Sequence, residues 1–156
     1  MLKPHDETFL RKSIALAQSA RDRGNHPFGA LVVHVTNHVV VESRNTVETD
    51  HDVTAHAEMN AVREAYGKYT AGFLADCTIY TSTEPCPMCA GAIFWSGIGR
   101  VVYALSEEQL YAITGATTES LPIACREILA QGGRTVVVEG PALEAEARKV
   151  HEGFWR

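Results

Sequence analysis

From Cys77 onward the chain repeats one pattern. "CTIYTST", "RVVYAL" and "RTVVVEG" are short runs rich in β-branched residues, each followed in turn by a helical stretch. Strands joined through a helix in one sheet must cross over and run parallel. The first half differs. "ALVVHV" and "HVVVE" are separated only by Thr36-Asn37, which leaves room for a hairpin and no crossover. Helical spacing predicts a first helix over 7–23, where Leu10, Ile14 and Ala17 share a face and Gly24 stops it. "AHAEMNAVREAYGK" predicts a second helix, closed by Gly67. "CPMCAGAIFWSG" predicts a third, opened by Pro85 and closed by Gly97. "PIACREILAQGG" and "PALEAEARKVHEGFW" predict two more, while "NTVETDHDVT" and "SEEQLYAITGATTES" read as loop and irregular chain. The order α-β-β-α-β-α-β-α-β-α implies a three-layer α/β/α sandwich around a five-stranded mixed sheet.

The 156 residues suit one domain spanning 1–156. No apolar run approaches the roughly 20 residues of a membrane span. "MLKPHDETFL" is polar and acidic and does not read as an export signal, so a cytoplasmic setting is expected. There, thiols stay reduced. Cys77, Cys86, Cys89 and Cys125 are then expected as free thiols, and the close pair reads as metal-binding or redox. Net charge is −5, against the basic face that nucleic-acid binders present to phosphates.

The chemistry gathers in two short stretches. "TAHAEMNAV" places His56 two residues before Glu58, and "EPCPMC" places Cys86 three residues before Cys89. Alone, His56 and Glu58 read as surface residues. At i, i+3 the two thiols project on one side of a helix, near an N-terminus that favours negative charge. With His56 they make three ligands for zinc, and the open fourth position marks a catalytic metal rather than a structural one. Such a metal lowers the pKa of bound water to about 7. Glu58 is left to move protons between water, ring nitrogen and leaving amine. H-x-E, 26 residues, then P-C-x-x-C is the signature of the zinc deaminases. A non-catalytic zinc-stabilised module remains the reading of another class, and Glu58 argues against it: a structural site needs no unliganded carboxylate beside the metal.

"HPFGALVV", "DVTAHAEMNAVREA" and "CTIYTSTEPCPMCAGAIFWSGIGRVVYA" resemble the cytidine deaminase-like superfamily, in its purine and nucleobase branch. That branch holds guanine deaminases, tRNA adenosine deaminases and fungal cytosine deaminases. The resemblance implies a five-stranded sheet between helices, one zinc ion per chain, and a homodimer. It implies hydrolytic loss of an exocyclic amine as ammonia.

Within the branch, guanine or guanosine is the first expectation, tRNA adenosine the second, and cytosine or another amino-heterocycle the third. Trp95 matches an aromatic of guanine deaminases and is expected to pack on a purine face, or else in core or dimer interface. The tRNA enzymes carry basic residues after the fourth strand, whereas Val101 to Cys125 holds no Lys or Arg but Glu107, Glu108 and Glu119. Glu119 is similar in placement to an acidic residue of guanine deaminases that faces the N1–H and amino edge, with a solvated loop as the plain alternative. Asn45 stands where the family places a ring-contacting Asn, Ala57 where a backbone N–H orients substrate, and Phe28 where a side chain lines the pocket. "HEGFWR" is expected to dock on the body, with closure of a neighbouring subunit's site as the sharper alternative.

Overall fold

The hairpin pairs β1 (Gly29–His34) with β2 (Val39–Arg44) antiparallel, turning through Asn37 at φ 68°. In the computed structural model, which describes residues 1–155, β1 also pairs antiparallel with β3 (Cys77–Thr83). β3 then pairs parallel with β4 (Arg100–Leu105), and β4 with β5 (Val137–Glu139). The sheet order is β2-β1-β3-β4-β5, the mixed five-stranded sheet expected.

Side chains alternate across it. Ile79 and Val101 face one buried cluster, Tyr80 and Val102 the other. Helices α3 (Ala57–Lys68), α5 (Pro87–Ser96) and α7 (Cys125–Ala130) cover the first face. α1 (Asp6–Asp22) and α8 (Glu144–Lys149) cover the second. Leu10, Ala17 and Ala20 of α1 are wholly buried. Burying one leucine side chain stabilises by about 1.5–3 kcal/mol. Gly29 lets α1 come this close, since a Cβ there would meet Ser13 O at 2.4 Å and Ala17 N at 2.6 Å.

A buried ionic clamp ties α1 to the sheet. Arg100 donates Nη1 to Asp6 Oδ1 (2.9 Å) and Nη2 to Oδ2 (2.6 Å), and the Tyr80 hydroxyl donates to Oδ1 (2.6 Å). Burial alone would raise the Asp6 carboxyl, but the donors from Arg100, Tyr80 and the Lys3 N–H hold it at about 2.

Several sequence expectations change. Residues 107–114 form α6 (Glu107–Thr114) rather than irregular chain, because Ser106 caps it by accepting Gln109 N–H at 3.2 Å. The expected loop contains the short α2 (Val47–Asp50), held by Asn25 Oδ1, which accepts Glu48 N–H and Thr49 N–H. A further short helix, α4 (Ala71–Ala75), precedes β3. α3 runs through Gly67 to Lys68. The helix after β3 is opened by Pro87 at its first turn, with Cys86 as N-cap, not by Pro85. α7 starts at Cys125, three residues past the proline, and α8 only after Leu143, whose φ of 55° breaks the expected helix.

Candidate active site

The site lies beyond the carboxyl ends of β3 and β4, where parallel strands of α/β sheets leave a crevice. Two helix starts meet there. His56 is the N-cap of α3 and Cys86 the N-cap of α5, both with extended backbone. Among the described residues neither N-cap side chain makes a capping hydrogen bond that meets full geometry. Cys89 follows one turn into α5 and is fully buried.

His56 Nδ1 lies 3.5 Å from Cys86 Sγ and 3.5 Å from Cys89 Sγ. The three ligand atoms all lie within 4.8 Å of one another. Tetrahedral zinc with Zn–N near 2.0–2.1 Å and Zn–S near 2.3 Å requires an N···S separation of about 3.6 Å. The residues therefore fit a zinc ion, with Nδ1 as the imidazole ligand. The thiols are polarised for it. The hydrogen bond with Cys89, then that with His56, holds the Cys86 thiol down to about 4. The same bond, with burial, raises Cys89. The hydrogen bond with Cys86 raises His56.

Glu58 sits in the first turn of α3 beside this group and is 6% exposed. Burial pushes its carboxyl up to about 7, close to the working pH of a general acid and base. A cavity of about 310 Å³ opens over it, at the low end of the roughly 300–1,000 Å³ of small-molecule sites. Phe28, Met88 and Leu110 give apolar walls, and Val53 and Leu121, both more than half exposed, form the rim. Thr83 Oγ1, buried and unpartnered, lies on the same lining.

The other sequence candidates divide. Phe28 lines the cavity, and Ala57 is buried at the start of α3 beside the metal group. Glu119 also lines it, but at an exposed place on the mouth. Asn45 is buried, yet its Oδ1 accepts the Val47 N–H at 3.0 Å and the residue is outside the cavity lining. Trp95 is 79% exposed at the far end of α5 and is not among the residues that line this cavity. Three residues escaped sequence reasoning. Glu84 accepts Glu107 N–H and Cys125 N–H, tying the starts of α6 and α7 to the end of β3. Glu107 is 7% exposed on the cavity wall, with Tyr111 one turn on. Ser106, a capping residue before an acidic run, was the available signal.

The chain's own end buttresses the wall. Trp155 donates Nε1–H to His151 Nδ1 at 2.9 Å, and the Phe28 ring lies 5.6 Å from His151 and 6.1 Å from Trp155. Residues 151–155 of "HEGFWR" thus dock on the chain's own body, and Arg156 lies outside the described residues.

Residues 3–105 match the profile of the family described as the cytidine and deoxycytidylate deaminase zinc-binding region. A probable cytosine deaminase of Schizosaccharomyces pombe is 45% identical over 99% of this chain and 94% of its own length. The guanine deaminase of Bacillus subtilis is 46% identical over 63% of each chain. Among solved structures, guanine deaminase from Nitrosomonas europaea superposes with a TM-score of 0.75 at 26% identity, covering 97% of this chain and 85% of that one.

Proposed function

We propose that guanine is the base this chain deaminates, on the premise that the chain belongs to the family of the cytidine and deoxycytidylate deaminase zinc-binding region. It is a zinc-dependent hydrolytic deaminase. The observation that carries the choice of guanine is the distribution of carboxyls. Glu58 and Glu107 are buried carboxyls on one largely apolar cavity, which Glu84 also lines and Glu119 meets only at its mouth. Guanine offers N–H donors on both of its rings, and carboxyl oxygens accept them.

His56, Cys86 and Cys89 hold the zinc ion, which supplies the Lewis acidity that makes water nucleophilic at neutral pH. Glu58 takes the proton of the attacking water and passes it to the ring nitrogen beside the carbon attacked. A second transfer through Glu58 protonates the exocyclic amine. The C–N bond breaks, ammonia leaves, and a carbonyl remains: base and water give oxo-base and ammonia. The apolar walls exclude competing water, and Phe28, braced by His151 and Trp155, keeps the ring in place.

Cytosine is the second reading, favoured by the relative that matches nearly the whole chain. A tRNA substrate fits less well, because Glu119 at the mouth repels a phosphate backbone. Ammonia release from guanine, guanosine, adenine, cytosine and a tRNA anticodon stem-loop separates these. Guanine is expected to be fastest, and a faster cytosine reaction would replace the first reading with the second.

A further inference from the structure

Glu107 is the buried carboxyl on the cavity wall that the metal chemistry leaves unused. It is 7% exposed, and among the described residues no Lys, Arg or His pairs with it. Both Glu84 oxygens are engaged elsewhere, accepting backbone N–H groups at 3.1 Å from Glu107 and 3.0 Å from Cys125. The Tyr111 hydroxyl hydrogen-bonds it, while itself accepting the Leu121 N–H at 3.1 Å. A buried carboxyl with one side-chain donor keeps acceptor capacity on the cavity side that a ligand N–H can fill.

Position says which donor. Glu58 and the metal group stand at the starts of α3 and α5, where the exocyclic amine must lie. Glu107 starts α6, a different element of the same wall. We propose that Glu107 recognises the substrate by accepting the ring N–H that a glycosidic bond would replace, so that the cavity takes a free base and not its nucleoside. In guanine that donor is the imidazole N–H; in cytosine it is N1–H. Glu119, exposed at the mouth, has water for a partner and no such part. The inference rests on the deaminase reading but not on which base is preferred.

The test measures ammonia release by the zinc-loaded enzyme from two pairs, guanine with guanosine and cytosine with cytidine. For the preferred base, the wild-type protein is expected to favour base over nucleoside by at least about 100-fold in kcat/KM, because a site built around an N–H rejects a partner lacking it. Glu107→Gln is expected to raise KM for that base about 10- to 100-fold. Its zinc content should stay as in wild type, and its preference for base over nucleoside in kcat/KM should shrink, a change of ratio that general misfolding would not produce. Glu119→Gln should change KM less than about threefold. Equal use of base and nucleoside by the wild-type protein, a comparison that needs no variant, overturns the inference and leaves the deaminase reading standing. So does a Glu107→Gln enzyme with wild-type KM. Ammonia from neither pair overturns both.

Discussion

His56, Glu58, Cys86 and Cys89 were legible because their chemistry depends on short spacings along two helix starts, which local sequence fixes. Glu107 was not. "SEEQ" reads as a solvated acidic turn, and what buries Glu107 is remote in sequence: Glu84 at the end of β3 receives its N–H. Where Trp95 and Glu119 would stand was not legible for the converse reason, since a residue type does not state which way its helix or loop will face: Glu119 reaches the cavity mouth, and Trp95 stands exposed away from it. The ligand assignment has a direct check. Cys86→Ala leaves Cys89 and His56 as a two-ligand site, and zinc per chain, measured by metal analysis, is expected to fall from about one to below about 0.2 at micromolar free zinc. Unchanged stoichiometry would remove Cys86 from the set.

Alternation of β-branched runs and helices was enough to anticipate five strands and their mixed directions at the level of elements. The ends of elements were less legible, because capping geometry rather than periodicity sets them. Leu143 at positive φ delays α8, and Ser106 starts α6 where composition suggested irregular chain. One element contact is fixed by a single missing side chain. At Gly29 a methyl group would strike backbone atoms of α1 at 2.4 and 2.6 Å, and backbone cannot swing aside as a flexible side chain can. Gly29→Ala is expected to cost about 2–3 kcal/mol, a fall in Tm of about 4–12 °C by thermal denaturation. A Tm within 1 °C or so of wild type would show that α1 shifts freely on the sheet, contrary to the packing described.

Over the whole molecule, both chain ends are tied down through buried titratable groups. Near the start, Asp6 holds Arg100 and Tyr80; near the end, His151 holds Trp155. Burial, then the charges of Arg21 and Arg148, push His151 down to about 4 from an ordinary 6.5. The folded state therefore favours neutral His151. Its contribution is complete above pH 6.5 and is lost as pH falls through about 4, where the unfolded chain has already taken the proton. The stability difference between wild type and His151→Phe, from urea unfolding, should shrink by about 3 kcal/mol from pH 7 to pH 4. A pH-independent difference would contradict a neutral buried imidazole. Asp6→Asn should cost about 3–5 kcal/mol at pH 7, because it leaves Arg100 buried without its carboxylate. A loss below about 1 kcal/mol would mean the clamp is solvated. These ties brace a molecule whose sheet brings α3, α5 and α6 to one crevice, and the central claim concerns what happens there: zinc held by His56, Cys86 and Cys89, with Glu58 moving the protons of a hydrolytic deamination. The most direct measurement is ammonia release from guanine and cytosine by zinc-loaded wild type and Glu58→Gln, with zinc content determined on the same samples. The account predicts release by wild type, and a Glu58→Gln enzyme that keeps its zinc yet turns over about 10²- to 10⁴-fold more slowly. Turnover by Glu58→Gln near the wild-type rate, or no ammonia from either base with zinc fully bound, would contradict it.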